Sequence, residues 1–349
     1  MQFRVKILST LLIAGIFFTG CATTVKESEV ALPEQKIVSN TNQYSVPLQK
    51  LGDMLYTVGD EDIYIALGDI TNKTLNLGKV PNDITGMLKT AFVNIGYKVH
   101  VLYNNDMVST LAQQNKEVYI VEGEISEYEQ VKGSGDGFNL GLSVSSGDQS
   151  GDMDYSDESG TKVFNLSLDL RVIDGRTGEY KPFVFAKNKI RLVQRNKSRS
   201  ISFFIVGNGF GMSGNYSKQN GMFSSLRLLS ELSSIEIVGK LRSLPYWLVL
   251  PNGKPNYNVI NNFKRHFKYY SQDTKKKYIG FLLRYYYPNL NSNNFNQYVK
   301  NIKSKLGIYP PDDRLTPELF AQLLINATKH SLKSEISNKR KNLLESVVR

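Results

Sequence analysis

Ile63-Tyr64-Ile65-Ala66-Leu67-Gly68-Asp69 is an apolar run that stops abruptly at a glycine and an acid. A run of this length with branched residues, bounded by a turn signal, reads as an apolar strand. Downstream, Ile84, Met87, Leu88, Ala91, Phe92 and Ile95 recur at helical spacing, and Gly96 supplies a helix stop. Lys98 to Leu102 reads as a short strand. Asn105-Asp106 offers a cap for a helix reaching Gln114. Glu117 to Glu124 reads as a further strand on the strength of Val118, Ile120 and Val121. Strand, helix, strand, helix, strand predicts an α/β (α+β) fold, a mixed sheet with covering helices.

Upstream of this core the chain begins as an export signal. Arg4 and Lys6 precede an apolar run from Ile7 to Phe18, then the small pair Thr19-Gly20, then Cys21, the single cysteine of the chain. The apolar run is too short for a membrane-spanning helix of about 20 residues. Cysteine after small residues resembles the lipobox of bacterial lipoproteins, with Phe18 standing where leucine is usual. That resemblance implies residues 1–20 as signal peptide, lipidation at Cys21, and an outer-membrane address, since Ala22 rather than an aspartate follows. The alternative is an ordinary cleaved signal with a free thiol. No intramolecular disulfide can form from one cysteine. Residues 21–50 read as a polar, lipidated tether.

Downstream, residues 134–160 are crowded with Gly, Ser and Asp. Within them Phe138, Leu140, Leu142 and Val144 alternate with polar residues, as in a strand with one apolar face. A return strand follows from Val163 to Ile173. Further extended runs cover Phe183 to Ala186 and on to Val193. A second glycine-rich stretch, Phe203 to Gly221, follows Ile201. Leu226 to Leu241 predicts a helix ending near Pro245.

The order of these parts resembles the curli secretion lipoprotein family (CsgG-like). The match rests on Val121-Glu122-Gly123-Glu124-Ile125-Ser126-Glu127-Tyr128-Glu129 and on Leu168-Asp169-Leu170-Arg171-Val172-Ile173-Asp174-Gly175-Arg176-Thr177-Gly178-Glu179, with the lipobox before them. It covers roughly residues 50–245, within a domain placed at 51–245. The resemblance implies a periplasmic α/β domain assembled as a ring. It also implies two hairpin insertions, 134–165 and 190–221, that close with those of neighbours into one transmembrane β-barrel. Phe138, Leu140, Leu142, Val144, Ile201, Phe203 and Ile205 are the membrane-strand candidates on this reading. Charges at Asp152, Asp154, Asp157, Glu158, Lys197 and Arg199 would then face the lumen or lie beyond the lipid. The alternative is two periplasmic loops. The family's pore-narrowing loop corresponds to Thr71–Val80, which has no tyrosine or phenylalanine here; Leu75, Asn76 and Leu77 are the pore-loop candidates, and the opening is expected to be wider.

Residues 246–349 fall outside the resemblance and read as a basic helical module. Residues 251–349 hold 18 Lys and Arg against 6 Asp and Glu, while residues 1–250 hold 25 against 26. The whole basic excess lies at this end. Lys275, Lys276 and Lys277 are the anion-surface candidates, facing lipid phosphates, peptidoglycan carboxylates or acidic proteins; a merely solvated face is the alternative. Phe263, Phe267, Tyr270, Tyr278, Phe281, Leu282, Tyr285 and Tyr286 form a helical stripe expected to be core. Thr316 with Pro317 signals a helix start. Ser337 to Arg349 reads as a basic helical tail.

Nothing in the chain announces catalysis. His100, His266 and His330 are isolated, Gly207 to Gly211 lacks a P-loop lysine, and the acids between Asp148 and Glu158 lack EF-hand spacing. The expectation is a non-enzymatic outer-membrane lipoprotein without cofactor or metal. It would form a ring or channel that exports or assembles a surface fibre or adhesin. The alternative function is a periplasmic anchor that holds an appendage or peptidoglycan without a pore. An activator of a cell-wall synthase is a third reading. Nucleic acid is not an expected partner.

Overall fold

The computed structural model describes residues 44–58, 61–74, 80–96, 98–131, 161–195, 200–207, 210–217, 221–250 and 253–327. Its centre is a seven-stranded sheet in the order β2-β1-β3-β4-β5-β6-β7. The strands are β1 (Ile63–Asn72), β2 (Val99–Val101), β3 (Val118–Val131), β4 (Thr161–Asp174), β5 (Tyr180–Arg195), β6 (Ser200–Gly207) and β7 (Phe210–Ser217). β1 runs parallel to β2 and β3, and every later pairing is antiparallel.

Helix α2 (Thr85–Ile95) links β1 to β2, and α3 (Asp106–Gln113) links β2 back past β1 to β3. Two crossovers of the same hand running in opposite directions must place their helices on opposite faces. The packing agrees. Ile63, Ile65 and Leu67 share a core with Leu88, Phe92 and Ile95 of α2. The alternate residue Ala66 packs with Val108 of α3 and with Val118, and Tyr64 and Ile120 flank that smaller cluster. β1 therefore reads as a continuous apolar run because both of its faces are covered.

Gly96 ends α2 at φ 73, as the sequence indicates. The expected cap of α3 does not form: Asn105 is helical and makes no side-chain capping bond, and Asn104 instead donates to Asp106 at 3.0 Å. The two extended runs read separately between Phe183 and Val193 are one strand, β5.

Helix α1 (Ser45–Val58) begins inside the stretch read as tether. Tyr44, Leu48, Leu51, Met54, Leu55 and Val58 are buried. A Cβ at Gly52 would lie 2.0 Å from the Ile95 carbonyl oxygen, so only glycine lets α1 approach α2 this closely. Helix α4 (Gly221–Leu241) is buried on almost every side, between the sheet and α1 with α2. Its serines serve that position. Ser225, Ser230 and Ser234 donate to the carbonyls of Gly221, Leu226 and Ser230 at 2.5–2.8 Å, so their hydroxyls are satisfied within the helix.

Beyond Pro245 the chain stays in the same core. Tyr246, Trp247, Val249 and Leu250 are buried on the way to α5 (Tyr257–Phe267), α6 (Gln272–Leu283), α7 (Phe295–Lys305) and α8 (Pro317–Asn326). The aromatic stripe is mainly core, as expected: Phe267 stacks on Phe320 at 4.6 Å, and Tyr278 donates to the Arg242 carbonyl at 2.6 Å. Thr316 caps α8 by accepting from the Leu319 amide at 3.2 Å, with Pro317 in its first turn.

The buried Lys303 is paired with Asp312 at 2.5 Å, and Arg314 also donates to Asp312. The hydrogen bond from Lys303, helped by Arg314, pulls the Asp312 carboxyl down to about 2 from its ordinary 3.8. A depressed carboxylate stabilises above its unfolded value and loses that contribution as pH falls through the folded one. Unfolding free energy is thus expected to decline between about pH 4 and pH 2. Asp312→Asn should flatten this decline in denaturant titrations across that range.

Candidate functional site

The face of β3, β4 and β5 opposite α4 is polar and patterned. Side chains alternate across a strand, so residues two apart share a face. The core face takes Val121, Ile125, Leu166, Leu168, Leu170, Val172, Val184, Ala186 and Ile190. The outer face carries acids on β3 and bases on β5. Lys189 donates to Glu127 at 2.6 Å, and Ser167 donates to the same carboxylate at 2.7 Å. Arg171 lies 3.7 Å from Glu122 and 3.5 Å from Glu124, and Lys187 lies 3.7 Å from Asp169. Burial pushes the Glu127 carboxyl up, but Lys189 and Ser167 outweigh it and hold the group below the usual range.

The two stretches that carry the family resemblance build this region, and their glycines explain themselves. A Cβ at Gly123 would meet the Asp169 carbonyl oxygen at 2.1 Å, where β3 and β4 press together. Asp174 to Glu179 form the β4–β5 turn, with Gly178 at φ 74. Arg176 donates to the buried Asp174, and although burial opposes it, this contact keeps the Asp174 carboxyl below its usual range.

Next to that turn the ladder breaks. β4 and β5 pair regularly as far as Arg171 with Phe185, and then Ile173 faces Tyr180. Lys181, Pro182, Phe183 and Val184 are left to bulge. Pro182 cannot donate to a ladder, and Phe183 sits at φ 65, a conformation that costs energy for a bulky side chain. β6 pairs with β5 only from Lys189 onward. Tyr180, Phe183 and Phe185 are 58%, 45% and 40% exposed around the bulge. Arg265 of α5 stands 6.0 Å from the Phe183 ring centre, and Lys240 donates to the Phe185 carbonyl at 2.6 Å. Burial, together with the Lys181 and Arg265 cations, lowers the His266 pKa. A cavity of about 340 Å³ opens here, lined among others by Asp169, Arg171, Tyr180, Lys181 and Phe185. The combination of exposed aromatics, cations and a strained bulge suits binding of another chain. The sequence signal for it was a proline between aromatics inside an extended run.

A second feature lies on the helical side. A groove of about 490 Å³ runs between the end of α1 (Thr57, Val58), one face of α6 (Lys276, Lys277, Gly280, Arg284) and residues 290–296. The three lysines read together from sequence divide here. Lys276 and Lys277 line the groove, whereas Lys275 turns toward the Lys268 carbonyl at 3.3 Å and the Phe267 ring at 5.8 Å. Arg284 was not singled out, although Lys276, Gly280 and Arg284 follow one another at helical spacing of four.

The membrane-strand candidates on β6 do not face outward. Phe203 and Ile205 are 0% and 3% exposed in the core beneath α4, and Ile201 is half-buried against Gly221. Of residues 190–221, the described ones lie in β5, β6, β7 and the first residue of α4; β6 and β7 extend the sheet, and β6 supplies core residues beneath α4. Residues 161–165 of the first proposed insertion lie in β4. Cys21, the pore-loop candidates Leu75, Asn76 and Leu77, and Phe138, Leu140, Leu142 and Val144 lie outside the described residues, as do His330 and the basic tail. Among the described residues no group of His, Cys, Asp and Glu could hold a metal, and no helix is long and apolar enough to cross a membrane.

The fold defines a mixed α/β protein, a sheet covered by helices, with several further helices packed behind. No family model matches the chain, and no curated protein does. Among solved structures it is similar to a PelC dodecamer from Paraburkholderia phytofirmans, at 14% identity over 50% of this chain and 86% of that one, with a TM-score of 0.22. A second PelC dodecamer, a variant from the same organism, gives 12% identity, coverages of 50% and 89%, and a TM-score of 0.23. The hypothetical protein CT253 from Chlamydia trachomatis gives 13%, coverages of 52% and 96%, and 0.27. Likeness at these scores transfers neither an assembly state nor a function.

Proposed function

We propose that this protein is a lipid-anchored outer-membrane subunit that assembles as a ring to export or assemble a surface fibre or adhesin. The observation that carries this reading is the β3–β4 hairpin. Two 14-residue strands pair from the Asp174 end to Val131 and Val163, and the glycine-rich sequence 132–160 joins them along the chain. That sequence has the alternation of a membrane strand, and one hairpin cannot close a barrel. Barrels need about eight strands or more, so with one such hairpin from each copy about four copies or more are required. The aromatics at the β5 bulge supply the contact between copies. The lipid at Cys21 holds the assembly at the membrane.

The test is imaging and conductance of lipidated, detergent-extracted protein. Ring-shaped class averages and channel activity in planar bilayers are expected. Deleting residues 134–158, which spares β4, should leave rings but abolish conductance. Phe183→Ser with Phe185→Ser should leave folded single copies. Solitary wild-type particles without conductance would refute the reading.

A further inference from the structure

We infer that the groove between α1, α6 and residues 290–296 binds an anionic sugar unit of the envelope. Lys276 and Lys277 are exposed at its wall and make no ion pair or hydrogen bond among the described residues. Arg284 adds a third cation, and no carboxylate appears among the lining residues. The two ammonium groups at the wall of a cavity of about 490 Å³, with the already partnered Arg284 beside them, create a local field that selects anions, and the volume lies in the range of small-ligand sites.

The opposite wall is made for hydroxyls rather than for a bare ion. Asn291 is occupied: it accepts from the Asn293 and Asn294 amides and so fixes the short turn Ser292–Asn294 in place. The side chains of Asn293 and Asn296 and the Ser292 hydroxyl are left to face a ligand, and the Phe295 ring lies among them. Amides offer both donors and acceptors to sugar hydroxyls, and an aromatic ring packs on the apolar face of a pyranose. Phe295 packs beside α6 at Gly280, where a Cβ would meet its ring at 3.6 Å, an ordinary contact distance. The shared chemistry is a pyranose bearing phosphate or carboxylate, and the site operates in a single copy whether or not copies form a ring.

The test is calorimetric titration of the mature chain with glucose 6-phosphate, glucuronate, glucose and inorganic phosphate. At least one charged sugar should bind with a dissociation constant near or below about 1 mM. It should bind at least about fivefold more tightly than both glucose and inorganic phosphate, and more weakly as salt rises. Which charged sugar prevails separates a phosphate-bearing from a carboxylate-bearing source. Lys276→Gln with Lys277→Gln should weaken it about tenfold or more without changing the unfolding midpoint, because both side chains are exposed and unpartnered. Asn293→Ala with Asn296→Ala should weaken the charged sugar and leave inorganic phosphate unchanged. The inference is overturned if no charged sugar binds, if neither exceeds inorganic phosphate, or if the lysine variant binds as wild type.

Discussion

Phe203→Ala is expected to destabilise the folded domain by about 3–5 kcal/mol, as read by urea unfolding of residues 22–349. The ring is fully buried on β6, between β5 and β7 and beneath α4. Truncation removes its transfer free energy and leaves a cavity that a sheet held by ladders on both sides cannot collapse around. A loss of this size is a large part of the stability of a typical domain. The experiment also decides between two uses of one apolar residue. If β6 were a lipid-facing strand, Phe203 would be solvent-exposed or detached when that chain is held in water. Its truncation would then change unfolding by about 0.5 kcal/mol or less. A small effect would favour a lipid-facing β6 and raise the strand count per copy.

That ambiguity shows how far the sequence reaches. Alternation of Ile201, Phe203 and Ile205 establishes a strand with one apolar face, but periodicity is blind to whether helix α4 or lipid covers it. The order of β1, α2, β2, α3 and β3 was legible because apolar spacing, Gly96 and branched residues agree at every step. Helix α1 was not, because its apolar residues are diluted by polar ones and the stretch follows a polar leader; its burial depends on Gly52 meeting Ile95, a contact without local signature. The candidate surface was partly legible. The motif Leu168–Glu179 was conspicuous, yet its glycines and Asp174 shape a turn, while the exposed Phe183 and Phe185 beyond it carried no motif at all. Of the lysine triplet, two residues reach the groove and one does not, since consecutive helix positions point about 100° apart.

Glu236→Ala is expected to cost about 3–5 kcal/mol at neutral pH, although it removes one side chain from a helix. Glu236 and Lys240 are both buried on α4 and lie 2.7 Å apart. The other Glu236 oxygen accepts from the Asn188 amide at 3.1 Å, and Asn188 also donates to Ser233 at 2.9 Å. Removing the carboxylate strands a buried ammonium and takes one acceptor from a buried amide, and it is this stranding, rather than the worth of the pair, that sets the cost. Glu236→Leu combined with Lys240→Met should therefore be far less harmful than the sum of the single changes, and a double-mutant cycle should return a favourable coupling of about 1–3 kcal/mol. The pair also reaches the outer surface. Lys240 donates to the Phe185 carbonyl at 2.6 Å and lies 4.7 Å from the Phe185 ring centre, so it holds the bulged strand from beneath. The double variant should stay folded yet free Phe185, giving faster amide exchange across Tyr180–Asn188 than in wild type. Unchanged exchange there would mean that the bulge is held by Pro182 and Arg265 alone, and a single Glu236→Ala loss below about 1 kcal/mol would mean that water reaches Lys240.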